Sequence, residues 1–350
     1  MNSKKEQRIL AFVQIGKILK LWGTSAVYPG YSCGLTEDEY AAGMHIVETS
    51  HTYNGWFTSE EVRKMFNNWS EELTEEKLLA WTSPFTYALE SKTVAIICAG
   101  NIPMVGFHDI LSVLIMGHRA LIKLSTDDAV LIPLVLKIAM KFDNSLENAC
   151  QFVSGKLVDF HAVIATGSNS SAVHFETYFG KYPHIIRKHR TSIAILDGSE
   201  SEEQLHLLGN DIFDYFGLGC RNVTKVFIPE DFDLDRIFKA LYSFKEIKNH
   251  NKYANNYDYN KAVWLLNKED LLENGFIIFK QDSNLTSPVA SLFYERYANM
   301  ESLRQTLNSR ENEIQCEVGN HSTPFGEAQK PSLNDYADQV NTLEFLSQLN

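Results

Sequence analysis

The sequence predicts an α/β protein, a doubly wound and mostly parallel sheet followed by a second α/β domain. From Thr93 onward, short apolar runs rich in β-branched residues alternate with helical stretches. That is the pattern of parallel strands covered on both faces. A chain of 350 residues exceeds one ordinary domain, so two packed domains are expected. Hydrophobic residues make up 44% and charged residues 22%, which is ordinary for a chain that buries a sizeable core.

Residues 4–22 read as an amphipathic helix, with Ser3 and Glu6 in capping-box spacing. Its basic residues are expected on a solvated face, with a membrane contact as the alternative. Residues 23–90 mix turn signals (YPGYSCG, TYNGW) with helical stretches such as SEEVRKMFNNW and carry no recognisable chemistry. TVAIICAG (93–100) then reads as a strand ending in glycine, followed by a proline turn and a helix from Gly106 to Met116. ALIKL is a second strand, and DDAVLIPLVLKIAMKF a helix that its internal proline kinks or delays. HAVIATGS is a strand, SSAVHFETYF a helix and SIAILDGS a further strand.

SEEQLHLLGNDIFDYF reads as a helix, FGLGCRNVTK as a glycine-flanked turn around Cys220, and TKVFIP as a strand. The Asn/Asp/Lys-rich region near 248–260 reads as a surface loop, and NKAVWLL, GFIIFKQ and PVASLFYERY as strand or strand–helix signals. A polar tail ends in a short helix, NTLEFLSQL. A domain change is placed near residue 203. There is no internal repeat or low-complexity segment.

The formal net charge of −12 argues against broad nucleic-acid binding. Cysteines 33, 98, 150, 220 and 316 are scattered and odd in number. Neither a disulfide framework nor a thiolate zinc site is suggested, and a reducing, cytoplasmic compartment fits best. The N-terminal MNSKKEQRIL lacks a signal-peptide core. No apolar run approaches the roughly 20 residues that span a bilayer, and Asn222-Val223-Thr224 therefore has no reading as a glycosylation acceptor.

Ligands of doubly wound sheets sit beyond the carboxyl ends of the strands, which directs attention to AGNIP (99–103), KLSTDD (123–128), ATGSNS (165–170) and LDGSES (196–201). Asn101, at a strand end beside a proline, is a fixed donor for an oxyanion, or else a turn asparagine bonding its own backbone. Lys123 is placed to bind a ribose hydroxyl or a phosphate, or else reaches into solvent. The Thr166-Gly167-Ser168 turn opens a helix where backbone amides approach a phosphate; ordinary turn chemistry is the alternative. Gly217 is placed to end a helix in the left-handed region, and Gly219 removes a side chain beside Cys220. Arg221 and Lys225 favour a thiolate, whereas the preceding helix C-terminus opposes it. A buried, inert thiol is the other reading. Arg187, Lys188 and Arg190 form a basic cluster that suits phosphates or a solvated face. His184 and His189 have no partners at metal-ligand spacing, so no metal is expected.

In order, strand-NxP, strand-K, strand-TGS and a glycine-flanked cysteine resemble the aldehyde dehydrogenase superfamily. Within it, NIPMVGFHDILSVLIMGHRALIKLS, GLGCRNVTKVFIP and FGEAQKPSLNDYADQ are most similar to acyl-CoA reductases related to the fatty-acid reductase of bacterial bioluminescence. The resemblance runs from about Thr93 to Pro229 and is patchy beyond. It implies an aldehyde-dehydrogenase-like fold with a helical region (1–92) packed on a dinucleotide-binding domain (93–203), a catalytic domain carrying Cys220 (204–325) and a tail (326–350). It implies Cys220 as nucleophile, Asn101 as oxyanion donor, and Gly100, Pro103, Lys123, Thr166, Gly167 and Ser168 around NADPH. The partners it implies are an acyl-CoA or acyl-carrier substrate, with acyl phosphate as the alternative donor. A homodimer with the tail as exchange arm is a further expectation.

Two departures point the chemistry toward reduction. Oxidising members hold a glutamate some thirty residues before the cysteine to activate water, yet no Asp or Glu occurs from Thr177 to Leu196. Where they hold a second glutamate against the nicotinamide ribose, the matching NLTSP carries Asn284. A non-catalytic homologue or a cysteine acyltransferase with a histidine base are the remaining readings.

Overall fold

The expected alternation is present in the structure, a computed structural model that describes residues 3–349. The capping-box reading of Ser3 and the start of the N-terminal segment rest on side chains outside the described residues. The elements begin with α1 (Ser3–Gly23), α2 (Glu37–Thr49), α3 (Ser59–Glu72) and α4 (Glu75–Thr82). Next come β1 (Thr93–Ile97), α5 (Phe107–Ile115), β2 (Arg119–Lys123), α6 (Leu131–Phe142), β3 (Cys150–Phe152), β4 (Ala162–Thr166), α7 (Asn169–Phe179) and β5 (His184–Arg187). The chain continues through β6 (Thr191–Ile195), α8 (Glu202–Phe213), β7 (Val223–Pro229), α9 (Asp235–Leu241) and α10 (Asn251–Leu266). It ends with β8 (Leu272–Glu273), β9 (Ile278–Gln281), β10 (Ser291–Tyr297), α11 (Met300–Asn308), β11 (Ile314–Val318) and α12 (Thr342–Ser347).

The chain divides into two units, 1–188 with 332–350, and 189–331. The first holds a five-stranded parallel sheet in the order β3-β2-β1-β4-β5. The second holds a six-stranded sheet, β11-β6-β7-β10-β9-β8, parallel except at β8–β9. The division falls between Lys188 and His189, ahead of residue 203, because β6 pairs with β7 and β11 and so belongs to the second sheet. Residues 332–350 belong to the first unit. His108 bonds the Leu333 carbonyl at 3.0 Å, Trp81 Nε1 donates to Tyr336 Oη at 2.7 Å, and His118 bonds the Leu346 carbonyl at 3.1 Å.

Within the first unit, α1 buries Ile9, Phe12, Ile15, Ile18, Leu19 and Trp22, at the spacing of an amphipathic helix. Two of its basic residues are not on a solvated face. Lys5 donates to the Thr82 carbonyl at 2.7 Å, and buried Arg8 pairs with Asp143 at 3.1 Å. Pro133 is the third residue of α6, where an N–H would lack an intrahelical partner, so it starts the helix without kinking it.

The largest departure from expectation is α10. The region near 248–260 is not a loop: His250 caps a 16-residue helix by accepting from Tyr253 N, and NKAVWLL is the end of that helix. Tyr253, Tyr257 and Asn260 are buried at i, i+4 and i+7, and Asn260 Nδ2 donates to the Val289 carbonyl at 2.8 Å. Tertiary packing of one tyrosine-lined face outweighs the low helix propensity of the asparagines.

Candidate functional site

Strand register brings three of the sequence-selected turns to one edge of the first sheet. Ile97 of β1 lies across from Lys123 of β2 on one side and Ala165 of β4 on the other. The chain therefore leaves CAGNIP, KLSTDD and ATGSNS side by side at the carboxyl ends. Strand order reverses between β1 and β4, and that switch point is where such sheets bind ligands.

Close packing joins the turns. A Cβ on Gly100 would come within 2.7 Å of Ser125 Cβ and Oγ, so glycine is required for the turn after β1 to meet the turn after β2. A Cβ on Gly167 would meet Phe175 and Ser171 at 2.9 Å, so this glycine lets β4 run directly into α7. Asn54, from the region that carried no recognisable chemistry, donates to the Gly100 carbonyl at 3.4 Å. Asn101 is exposed, Pro103 buried, and Lys123 half-buried with Nζ donating to the Gly155 carbonyl at 3.1 Å. Thr166 and Gly167 are half-buried, and Ser168 is exposed as the N-cap of α7, accepting from Ser171 N at 3.2 Å. The Ser168 hydroxyl also contacts those of Ser170 and Ser171, at 2.8 and 3.0 Å. This glycine- and hydroxyl-lined edge at a helix N-terminus fits the phosphates of a dinucleotide, and Lys123 keeps further donors for a ribose or phosphate.

Below this edge, Met104 adopts a left-handed φ of 57° and donates its N–H to Asp128 Oδ2 at 2.6 Å. Burial pushes the Asp128 carboxyl up to about 7. The unfolded chain ionises this group near its ordinary 3.8, so between those two values the native state binds more protons and stability falls as pH rises. Above about 7 the penalty is constant. Asp128→Asn keeps an acceptor for Met104 and removes the charge, so its melting temperature should fall less than the wild type's between about pH 4 and 7. Parallel pH-dependent melts check this, and an equal fall in both proteins would refute it.

In the second unit, α8 ends at Phe213, and Tyr215, Phe216 and Gly217 follow with φ values of 53°, 57° and 77°. Gly217 occupies the left-handed position expected of it; Tyr215 and Phe216 hold a conformation that costs a side-chain residue roughly 1 kcal/mol or more. Asn222 holds this turn. Wholly buried, it donates through Nδ2 to the carbonyls of Asp211 (3.1 Å), Ile212 (3.3 Å) and Asp214 (2.8 Å). Its Oδ1 accepts from Gly219 N at 2.8 Å. Asn222 thus caps the α8 C-terminus and blunts the end dipole that opposes a thiolate at Cys220. Ser192 of β6 adds a hydrogen bond to the Cys220 carbonyl at 3.0 Å, and Cys220 is half-buried and not in a disulfide.

The cations flanking the cysteine are committed elsewhere. Arg221 Nε donates to the Ala328 carbonyl at 2.6 Å and its Nη2 lies 3.8 Å from Cys316 Sγ. Lys225 is wholly buried and paired with Glu295 at 2.7 Å. The basic cluster also separates. Arg187 is buried in the first unit, donating to Asp109 Oδ1 at 2.8 Å and Thr342 Oγ1 at 3.0 Å, whereas Arg190 donates to the Ile314 carbonyl at 3.3 Å in the second. Asn284 bonds Asp282 Oδ1 at 2.9 Å through both its backbone N and Nδ2. Among the described residues no group of three or more His, Cys, Asp or Glu could hold a metal ion. No helix among them is long and apolar enough to cross a membrane.

A doubly wound nucleotide-type sheet joined to a second, mostly parallel sheet that carries a held cysteine turn defines an aldehyde-dehydrogenase-like α/β fold. The chain is similar to the NAD-dependent aldehyde dehydrogenase from Sinorhizobium meliloti, with 10% identity, TM-score 0.64, and 93% of this chain and 72% of that one covered. It is similar to HpcC from Thermus thermophilus with 11% identity, TM-score 0.63, and 91% and 70% covered. It is also similar to aldehyde dehydrogenase 21 from Physcomitrella patens, solved with the product succinate, with 10% identity, TM-score 0.61, and 91% and 77% covered. No protein-family model matches the sequence, and no curated protein matches it.

Proposed function

We propose that the protein is an NADPH-dependent acyl-thioester reductase in which Cys220 carries the acyl group. The observation that supports this most is the Cys220 turn, fixed from both sides by Ser192 and Asn222 in a fold whose other sheet aligns three ligand-side turns at its switch point. The Cys220 thiolate attacks the carbonyl of an acyl-CoA or acyl-carrier thioester. The tetrahedral adduct expels the donor's thiolate, which takes a proton from solvent to leave as the free thiol, so that an acyl-Cys220 thioester remains. Asn101 and a backbone amide at the cysteine are assigned to the oxyanion. NADPH, when bound, supplies the hydride that reduces this thioester. The tetrahedral oxyanion left on Cys220 then collapses, breaking the carbon–sulfur bond to release the aldehyde and restore the cysteine thiolate. Gly100, Pro103, Lys123 and the Thr166–Ser168 turn are assigned to the dinucleotide. Because Thr177 to Leu196 holds no carboxylate, the base that would turn the thioester over to water is missing from its usual place, and the acyl group persists long enough to be reduced.

The test is an assay with long-chain acyl-CoA and NADPH, following loss of the reduced cofactor's absorbance and trapping the aldehyde. Turnover with release of free CoA is expected. Turnover only with an acyl phosphate, which liberates no thiol, would move the assignment to that donor. Absence of any NADPH-induced thermal shift would instead favour a cofactor-independent cysteine acyltransferase.

A further inference from the structure

A closed chain of hydrogen bonds runs through the second unit and passes both sides of Cys220. It starts at Asp211, wholly buried in the last turn of α8. One carboxylate oxygen accepts from Gly326 N at 2.7 Å and the other from Ala328 N at 2.9 Å. The Ala328 carbonyl accepts from Arg221 Nε at 2.6 Å, one residue after the cysteine. On the other side, Gly219 N donates to Asn222, one residue before the cysteine, and Asn222 Nδ2 donates to the carbonyl of Asp211 itself. The ring therefore closes: Asp211, segment 326–328, Arg221, Cys220, Gly219, Asn222, Asp211.

The chemistry of the ring is specific. Two converging N–H groups need two acceptor oxygens, which a carboxylate has and an amide does not. The pair converges because Gly326 takes a left-handed φ of 82°, where an added Cβ would lie 3.2 Å from Leu207 on α8. Burying the carboxylate is costly: desolvation pushes the Asp211 carboxyl up to about 7, with Asp214 and Glu327 adding in the same direction. A segment more than a hundred residues downstream is held against the nucleophile turn at that cost.

We infer that Asp211 is a positioning residue for Cys220, acting through segment 326–328 and Arg221, so that this segment is part of the working nucleophile site. The inference rests on Cys220 being the acyl-carrying nucleophile, but the ring can be tested without substrate. Native protein is alkylated with iodoacetamide at 25 °C, with no cofactor or acyl donor, and labelling of each cysteine is followed by peptide mass spectrometry. Asp211→Asn turns an amide toward one N–H, loosens the turn and should speed alkylation of Cys220 about tenfold. Buried Cys98, whose thiol burial holds well above its ordinary range, should stay unlabelled, which separates loosening of the turn from global opening. Arg221→Lys keeps the charge but loses the Nε bond and should act in the same direction. The double variant should be no faster than the faster single, because both cut one ring.

Acyl-CoA turnover should move the opposite way, falling about tenfold, because attack needs a fixed sulfur where alkylation needs only an exposed one. Cys220 labelling within about twofold of wild type in folded Asp211→Asn, additive single effects, or unchanged turnover by an active enzyme would each overturn the inference. If circular dichroism shows that Asp211→Asn does not fold, Arg221→Lys carries the same criteria alone. If wild type turns over no acyl-CoA, the proposed function fails while the alkylation rates still decide the role of Asp211.

Discussion

Cys220→Ser should lose acyl-CoA turnover by at least about 10³-fold while keeping its fold. A serine hydroxyl is protonated at neutral pH and needs a base to become a nucleophile, whereas a thiol ionises far more readily. The flanking Arg221 and Lys225 cannot serve as that base, being bonded to the Ala328 carbonyl and to Glu295. Ser192 holds the backbone carbonyl of residue 220. Exchanging sulfur for oxygen leaves that bond in place, and unfolding free energy should change by about 1 kcal/mol or less. Cofactor absorbance reads the loss of turnover. Mass spectrometry of wild type with acyl-CoA and no NADPH should find an acyl adduct on the peptide containing Cys220, absent from the variant. Full turnover by the serine variant would remove the cysteine from the mechanism.

What could be read in the sequence was local. The strands of the first sheet are short apolar runs that stop at Ile97, Lys123 and Thr166, and these breaks place the ligand-side turns at one edge once the strands align. The glycines that let those turns pack announce themselves by type. Non-local packing left no such signal. Asp211 finds its partners 115 and 117 residues away, and Asn222, which in the sequence reads only as part of an Asn-Val-Thr triplet, is the buried cap of the Cys220 turn. In α10 the burial of Tyr253, Tyr257 and Asn260 decides the structure against a loop-like composition. The short strands β3, β5 and β11 gain their identity from pairing partners rather than from residue type. Adjacency in sequence also misled: Arg187 and Arg190 are three residues apart yet serve different units.

That last separation sets up a large stability effect. Asp109→Ala should destabilise the protein by about 3–5 kcal/mol, the cost of leaving one member of a buried ion pair without its partner. Asp109 is 3% and Arg187 5% exposed, with Nη2 to Oδ1 at 2.8 Å. The same guanidinium donates to Thr342 Oγ1, so the pair also anchors the first residue of α12 to β5. The buried α12 side chains Leu343 and Leu346 depend on that anchor to stay docked. For a unit of this size the melting temperature should drop by roughly 6–20 °C. Salt makes a second criterion. A pair shielded from solvent is screened little, so the loss should be similar at about 0.05 and 0.5 M salt. Glu327→Gln, which removes a half-exposed partner of Lys330, should cost about 1 kcal/mol or less and fade with salt. Were Arg187 a ligand for cofactor phosphate, Asp109→Ala would instead leave stability nearly unchanged and shift only the KM for NADPH. A melt of the variant with and without NADPH separates the two outcomes, because loss of the buried pair lowers both curves together.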